Sequence, residues 1–321
     1  MIKNHKFEKF IKKNHFISCI CEYYHIIWLN QRKTNYNLKM KKNLSILLII
    51  LYVFANGQAR RFFYEFSFKP NKDSSRVEKE LTILDVTKQK SIYRDYLSVS
   101  QDSMIESNIE KMKTTGVQID LSKLFKNPKF MYKVQKSYPT YETKYTDLIL
   151  SDYITYPETD KINWKISNEK GVSSFEKYKI QKATATAWGR KWIAWFAPDI
   201  PIQDGPYKFS GLPGLIVKIE DENKNFSWEL AGIKNIEKYN ELSLNERLKN
   251  KKDLAVNKQK FTQMFTEFKT SPLAQVRMKY TSEQLSEVGE GGKTLGQKLR
   301  DQEEIIKKMI GANNESIELV Q

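Results

Sequence analysis

The chain has 321 residues and a formal net charge of +16, from 54 basic and 38 acidic side chains. All of its histidines and cysteines lie within the first 25 residues, at His5, His15, Cys19, Cys21 and His25. Any form of the chain that lacks this stretch has no disulfide, no zinc site of the usual kind, and no Ser-His or Cys-His nucleophile.

The segment that begins at Met40 predicts a secretory signal peptide. Lys41 and Lys42 precede an apolar run over 44–55, which ends in the small residues Asn56 and Gly57. A basic stretch, a short apolar run and a small-residue end are the three parts of such a peptide. The run is shorter than the ~20 residues of a membrane span. We expect 40–57 to be removed; an uncleaved anchor and a cut after Ala59 are the alternatives.

Residues 1–39 precede the predicted signal peptide, and we expect them to be an over-extended gene start. The mature chain, 58–321, then has 44 basic and 36 acidic residues, a net charge of +8, and neither His nor Cys. We expect an exported protein in the periplasm, associated with the outer membrane or secreted. We expect no metal, no cofactor, no nucleic-acid partner and no stable membrane span after cleavage.

Apolar residues that alternate at period two predict strands along the first part of the mature chain. In the first, Phe62, Tyr64, Phe66 and Phe68 share one face. Short polar connections between such segments favour antiparallel pairing. The predicted strands cover 61–68, 78–86, 91–97, 132–137, 141–150, 162–166, 178–187, 192–196, 215–220 and 226–230, and a helical spacing appears only over 105–112.

After about residue 240 the apolar period changes to that of a helix. Phe261, Met264, Phe265 and Phe268 form one stripe, and Thr294 with Gln297 has the spacing of a capping box. Strands followed by helices predict an α+β, mainly antiparallel β fold. We expect a single domain over 58–321, β-rich over 58–235 and mainly helical over 236–321. Its sheet is expected to be curved or a half-barrel of eight to ten strands, with the C-terminal helices covering its open face or edge.

A loop over 197–214 is rich in proline and glycine. Four of the nine prolines lie between 198 and 213. Proline fixes φ and glycine supplies unusual backbone conformations, so their alternation with apolar residues predicts a rigid, packed loop. We expect Ile200, Tyr207, Phe209 and Leu212 to anchor it in the core.

The end of this loop carries a family resemblance. The sequence Gly211-Leu212-Pro213-Gly214-Leu215-Ile216 resembles the hexapeptide that gives the GLPGLI family of exported Bacteroidetes proteins its name. Gly189-Arg190, Ala194-Trp195-Phe196 and Asp199-Ile200-Pro201 also fit the family pattern. The family has no established activity, so the resemblance implies an exported location and no mechanism.

Charged residues near the loop have two interpretations each. Asp199 and Asp204 form either a carboxylate pair for acid–base work on a glycoside or two turn caps. Arg190 either binds an anionic ligand or pairs with Asp199 or Asp204, which would join the hairpin to the loop.

Trp188, Trp192 and Trp195 lie close together in sequence beside Phe196. They either form an aromatic platform for a ligand such as a sugar or fill the core. Our first hypothesis is a non-catalytic envelope protein that binds an apolar ligand or an outer-membrane partner. The alternatives are a carboxylate-dependent glycan hydrolase and a purely structural role.

Overall fold

The computed structural model describes residues 58–319, apart from 72–73, 121–125, 127, 151, 250–252, 290 and 312–314. The predicted signal peptide and the predicted mis-assigned start over 1–39 lie outside the described residues. Among the residues described, no helix is both long and apolar enough to cross a membrane.

Twelve strands of the described residues form one sheet. Their bounds are β1 Ala59–Phe68, β2 Glu78–Val86, β3 Lys90–Asp95, β4 Lys133–Ser137, β5 Glu142–Ile149, β6 Asp152–Glu158, β7 Lys165–Val172, β8 Lys179–Ala187, β9 Arg190–Ala197, β10 Leu215–Asp221, β11 Phe226–Ile236 and β12 Leu254–Ala255. The order across the sheet is β12-β6-β5-β4-β3-β2-β1-β11-β10-β9-β8-β7. Every neighbouring pair is antiparallel except β12 and β6, which run parallel.

The sheet is mainly antiparallel, as the alternation predicts, but it is open. The two outermost strands, β12 and β7, are at opposite ends of the order, so the sheet does not close into a barrel. The expected eight to ten strands are therefore corrected to twelve. Two strands were missed, because β6 follows β5 almost directly and β12 has only two residues.

The inward face of the central strands forms the core. Phe62, Tyr64, Phe66 and Phe68 of β1 are all buried, as the period-two pattern predicts. Phe66 stacks on Trp228 of β11 with ring centroids 4.4 Å apart. Burying such aromatic rings stabilises the fold by about 1.5–3 kcal/mol for each Phe-sized side chain.

Six helices are described, and most follow the strands. Their bounds are α1 Tyr96–Thr115, α2 Leu244–Lys249, α3 Lys258–Thr270, α4 Ala274–Arg277, α5 Ser282–Ser286 and α6 Leu295–Gly311. The predicted capping box precedes α6: the Gln297 amide donates to Thr294 Oγ1, and the Thr294 amide donates to Gln297 Oε1. α1 begins after Asp95, whose carboxylate accepts from the Leu97 amide at 2.7 Å.

The helix α3 covers one end of the sheet. Its Phe261 packs on Tyr156 of β6 and Tyr145 of β5, with ring centroids 4.8 and 5.6 Å apart. The predicted apolar stripe thus explains why a helix lies at this edge. The α+β class, with C-terminal helices beside a mainly antiparallel sheet, is confirmed.

Candidate functional site

The loop between β9 and β10 packs as the sequence predicts. Its four expected anchors, Ile200, Tyr207, Phe209 and Leu212, are all buried. Phe209 contacts Trp192 of β9 with ring centroids 4.7 Å apart. The loop is therefore a rigid part of the core.

Two positions of this loop have room only for glycine. A Cβ at Gly214 would lie 2.3 Å from the Ala197 carbonyl oxygen, and a Cβ at Gly205 would lie 2.8 Å from Ile216 Cβ. Neither contact is possible for a real side chain. The hexapeptide Gly211–Ile216 thus has a packing role, since Gly214 allows two backbone segments to touch.

Asp204 is completely enclosed and holds the loop to the sheet. Its carboxylate accepts from Lys136 Nζ, Ser91 Oγ and Tyr138 OH, each at 2.5 Å, and from the Gly205 amide at 2.7 Å. Burial lowers the pKa of the Lys136 ammonium, and the neighbouring Asp204 charge opposes that shift. This network favours the structural interpretation of Asp204.

Asp199 has a different environment, because it is exposed at the start of the same loop. Asp199 faces solvent while Asp204 is sealed in the core. The two carboxylates therefore do not open on a common cleft, as a pair acting on a glycoside has to do.

Arg190 is buried, but its partners are not those expected. It pairs with Asp221 at 3.4 Å and with Glu315, and it donates to the carbonyl oxygens of Ser316 at 2.7 Å and Ile317 at 3.0 Å. The predicted pairing with Asp199 or Asp204 is wrong. Arg190 joins the hairpin to the C-terminal end of the chain.

Lys208 is a buried cation that the sequence did not indicate. Its Nζ donates to Tyr156 OH at 2.8 Å and pairs with Glu158 at 2.6 Å and with Glu318. The aromatic rings that lie within 5.6 Å of Nζ belong to Tyr145, Tyr156, Trp188 and Tyr207. Aromatic faces attract a cation, so burial of this lysine is compensated by both carboxylates and rings.

The predicted tryptophan cluster is divided between the two faces of the sheet. Trp192 is fully buried and donates to the Ala187 carbonyl at 3.1 Å. Trp195, three residues along β9, lies on the opposite face because strand side chains alternate. Trp188 packs on Phe209 with centroids 5.4 Å apart. Trp192 belongs to the core, Trp188 is half-buried against the loop, and Trp195 lies on the outer face.

A groove lies beside Trp195 on the outer face. Its volume is about 360 Å³. Apolar residues supply most of its wall, with hydroxyls, an ammonium and a carboxylate among them. The lining comprises Gly171, Val172, Ser173, Ser174, Phe175, Ile180, Trp195, Val217, Lys218, Glu229 and Leu230.

Charged side chains surround this groove. Lys182 Nζ lies 5.7 Å from the centre of the Trp195 ring. Glu229 accepts from Ser174 Oγ and lies 3.7 Å from Lys218 Nζ. The site can therefore offer an apolar surface together with a donor and an acceptor. No group of three or more His, Cys, Asp or Glu that could hold a metal ion occurs among the described residues.

Residues 136–218 match a family model described as "Protein of unknown function (Porph_ging)". The matched stretch begins at Lys136 and includes the hexapeptide, Arg190, Trp192, Trp195, Asp199 and Asp204. The match agrees with a domain of unknown function, and the GLPGLI name remains a resemblance. No curated protein matches the sequence.

Two solved structures of PNGF-II, in the C2 and P21 space groups, are similar to this chain. The first has 15% identity and a TM-score of 0.44, and the second has 14% identity and a TM-score of 0.43. Each match covers 64% of this chain, and 32% and 33% of the two PNGF-II chains. The chain thus spans about a third of the length of PNGF-II, and nothing about activity follows from the likeness.

Proposed function

We propose that this chain is an exported, non-catalytic binding protein that holds a small apolar or amphiphilic ligand in the groove beside Trp195. The observation that carries the proposal is the groove itself. Its volume of about 360 Å³ lies within the ~300–1,000 Å³ range of small-molecule sites. Its mainly apolar wall with a few polar groups also has the usual composition of such sites.

The groove favours a ligand with an apolar body and a polar end. Trp195 and Ile180 offer the apolar contact area, while Lys218 and Glu229 face the same space. Lys218 pairs only loosely with Glu229 at 3.7 Å and Glu220 at 4.0 Å, so its ammonium can turn toward a ligand at little cost.

The buried state of Asp204 makes glycan hydrolysis the weaker candidate. A general acid or nucleophile has to reach its substrate, and this carboxylate is enclosed by Lys136, Ser91 and Tyr138. Export is proposed from the sequence alone, because the segment over 40–57 has the three parts of a signal peptide.

A titration with 1-anilinonaphthalene-8-sulfonate, an amphiphilic fluorescent probe, tests the groove. Gly171→Val is the sharpest variant, because a Cβ at this position meets Ile180 and Trp195 at ordinary contact distances of 3.5 and 3.6 Å. The two methyls of valine then occupy the part of the groove between Ile180 and Trp195, and a β-branched residue suits a strand. Gly311→Ala is the control, since a Cβ there has nothing within 4 Å.

We expect saturable binding of the probe to the wild type and to Gly311→Ala. Gly171→Val and Trp195→Ala should each weaken it at least tenfold. If Gly171→Val keeps the wild-type melting temperature and still binds the probe as the wild type does, the groove is not the site. Native mass spectrometry of protein purified from its own envelope would identify the natural ligand.

A further inference from the structure

The C-terminal residues Glu315–Leu319, here called the tail, return to the body of the protein. The Glu315 amide donates to the Pro70 carbonyl at 3.1 Å, and the Leu319 amide donates to the Trp188 carbonyl at 3.0 Å. Between these two anchors the tail lies against the β8–β9 turn and the loop that carries the hexapeptide. Ile317, in its middle, is buried.

Cations recognise both the backbone and the carboxylates of the tail. Arg190, with a side chain only 5% exposed, binds two tail carbonyls and Glu315. Glu318 accepts from Lys208 and from Tyr207 OH, and Lys258 lies 3.6 Å from its other oxygen. Charge-assisted bonds of this kind are about twice as strong as neutral ones.

The shape of the cleft is also specific. Gly189 has φ = +76°, and a Cβ there would lie 2.9 Å from Leu319 Cβ. The glycine therefore makes the turn possible and leaves space for the last residue of the tail. A side chain at this position would compete with the tail for the same volume.

We propose that this cleft is a peptide-recognition site, and that its partner is an acidic segment of another protein with two glutamates flanking a buried aliphatic residue. The tail Glu-Ser-Ile-Glu-Leu is the occupant in this structure and shows the pattern that fits. Such a segment displaces the tail and takes over its contacts. This site is separate from the groove at Trp195.

Because Arg190 and Lys208 are buried cations, the segment that binds beside them has to be acidic. Without the tail, Arg190 keeps only Asp221 at 3.4 Å among its hydrogen-bond and ion-pair partners. Lys208 keeps Glu158 at 2.6 Å and Tyr156 OH at 2.8 Å but loses Glu318. Leaving a buried charge partly unpaired is costly. An empty cleft is therefore unfavourable, and the tail is exchanged most easily for another acidic segment.

A tethered tail competes strongly with a free peptide. A segment attached by a short linker has an effective concentration in the millimolar range. A peptide in solution therefore binds the intact chain weakly, and binds a chain without its tail much more tightly.

The test uses a fluorescent peptide Glu-Ser-Ile-Glu-Leu, blocked at both ends, and measures its anisotropy. The proteins are the intact chain and a chain that ends at Gly311. We expect saturable binding to the shortened chain and at least tenfold weaker binding to the intact one. A peptide with glutamine at both glutamate positions should bind the shortened chain at least tenfold more weakly.

Two variants of the shortened chain add a control. Lys258→Ala removes a cation that faces Glu318 and should weaken peptide binding several-fold. Lys293→Ala removes an exposed cation paired with Asp301 and should leave binding unchanged.

The proposal fails if a shortened chain with a wild-type circular dichroism spectrum does not bind the peptide, or if it binds the glutamine peptide equally well. If the shortened chain does not fold, the full-length double variant Glu315→Gln/Glu318→Gln takes its place. Its loosened tail should let the acidic peptide bind at least several-fold more tightly than to the wild type. Equal affinity for the two proteins would overturn the proposal.

Discussion

Lys136 and Asp204 form an ion pair inside the protein, with Nζ 2.5 Å from Oδ1 and both side chains fully enclosed. Lys136 lies on β4 and Asp204 lies in the loop before β10, so the pair joins the sheet to the hexapeptide loop. Lys136 also donates to the carbonyls of Gly205 at 2.7 Å and Phe209 at 3.0 Å. The pair therefore fixes the position of the loop, while desolvation of two charges limits its net stabilisation.

Lys136→Met should destabilise the protein by about 3–5 kcal/mol, because it leaves the Asp204 carboxylate buried without its cation. The double variant Lys136→Met/Asp204→Asn should lose less unfolding free energy than the sum of the losses in the two single variants, because it leaves no buried charge without a partner. Urea unfolding of the two single variants and the double variant measures these losses. Lys79→Met removes the exposed partner of Glu65 and should cost less than ~1 kcal/mol. Additive losses would contradict coupling of the pair.

Gly214→Ala should prevent folding or lower the free energy of unfolding by more than ~3 kcal/mol. Its Cβ would lie 2.3 Å from a main-chain oxygen, which cannot rotate away. Gly311→Ala, at the end of α6, should change the unfolding free energy by less than ~1 kcal/mol. Thermal unfolding distinguishes the two variants. A Gly214→Ala protein as stable as Gly311→Ala would mean that the two backbone segments are not in contact.

Trp192 and Trp195 should respond very differently to truncation, because they lie on opposite faces of β9. Trp192→Ala removes a fully buried ring and a hydrogen bond to Ala187, and should cost about 3–5 kcal/mol. Trp195→Ala should cost about 1 kcal/mol, since its ring is partly solvated. Denaturant unfolding of both variants checks the contrast, and similar losses would argue against this assignment of faces.

Asp147 should make stability depend on pH. Burial raises the pKa of its carboxyl to about 6 from an ordinary value of 3.8, although the Leu148 amide and the Tyr145 hydroxyl stabilise the anion. The folded state therefore binds more protons than the unfolded state between pH 4 and pH 6. The penalty for burying the anion is present at pH 7 and is relieved as the pH falls through 6.

Asp147→Asn removes this penalty at all pH values. The stability of the wild type relative to Asp147→Asn should increase by about 1–3 kcal/mol between pH 7 and pH 4.5. Urea unfolding at these two pH values gives the difference. A constant difference between the wild type and Asp147→Asn would contradict the raised pKa.

Local sequence patterns predicted most of the elements but not how far the sheet extends. The alternation from Phe62 to Phe68 defined β1 and its buried face, and the stripe at Phe261 defined α3. The strand β6 was missed because it follows β5 almost directly, although pairing with β5 on one side and β12 on the other stabilises it. Such pairing is non-local and is not visible in a short window.

The site was harder to predict than the fold. Lys136 and Lys208 look like ordinary solvated lysines in the sequence, and only their distant carboxylates make them buried cations. The one local signal for Lys136 is its position two residues after Val134, in the inward phase of β4. The tail partner of Arg190, Glu315, lies far along the chain, so no spacing rule could have indicated it.

The position of β1 in the middle of the sheet has a consequence for the order of assembly. Phe62 lies opposite Ile233 of β11, 171 residues further along the chain, so one half of the sheet cannot join the other until β11 has been made. Folds dominated by such distant contacts form slowly. The pairing between β1 and β11 is thus completed late, which would suit the export that we propose.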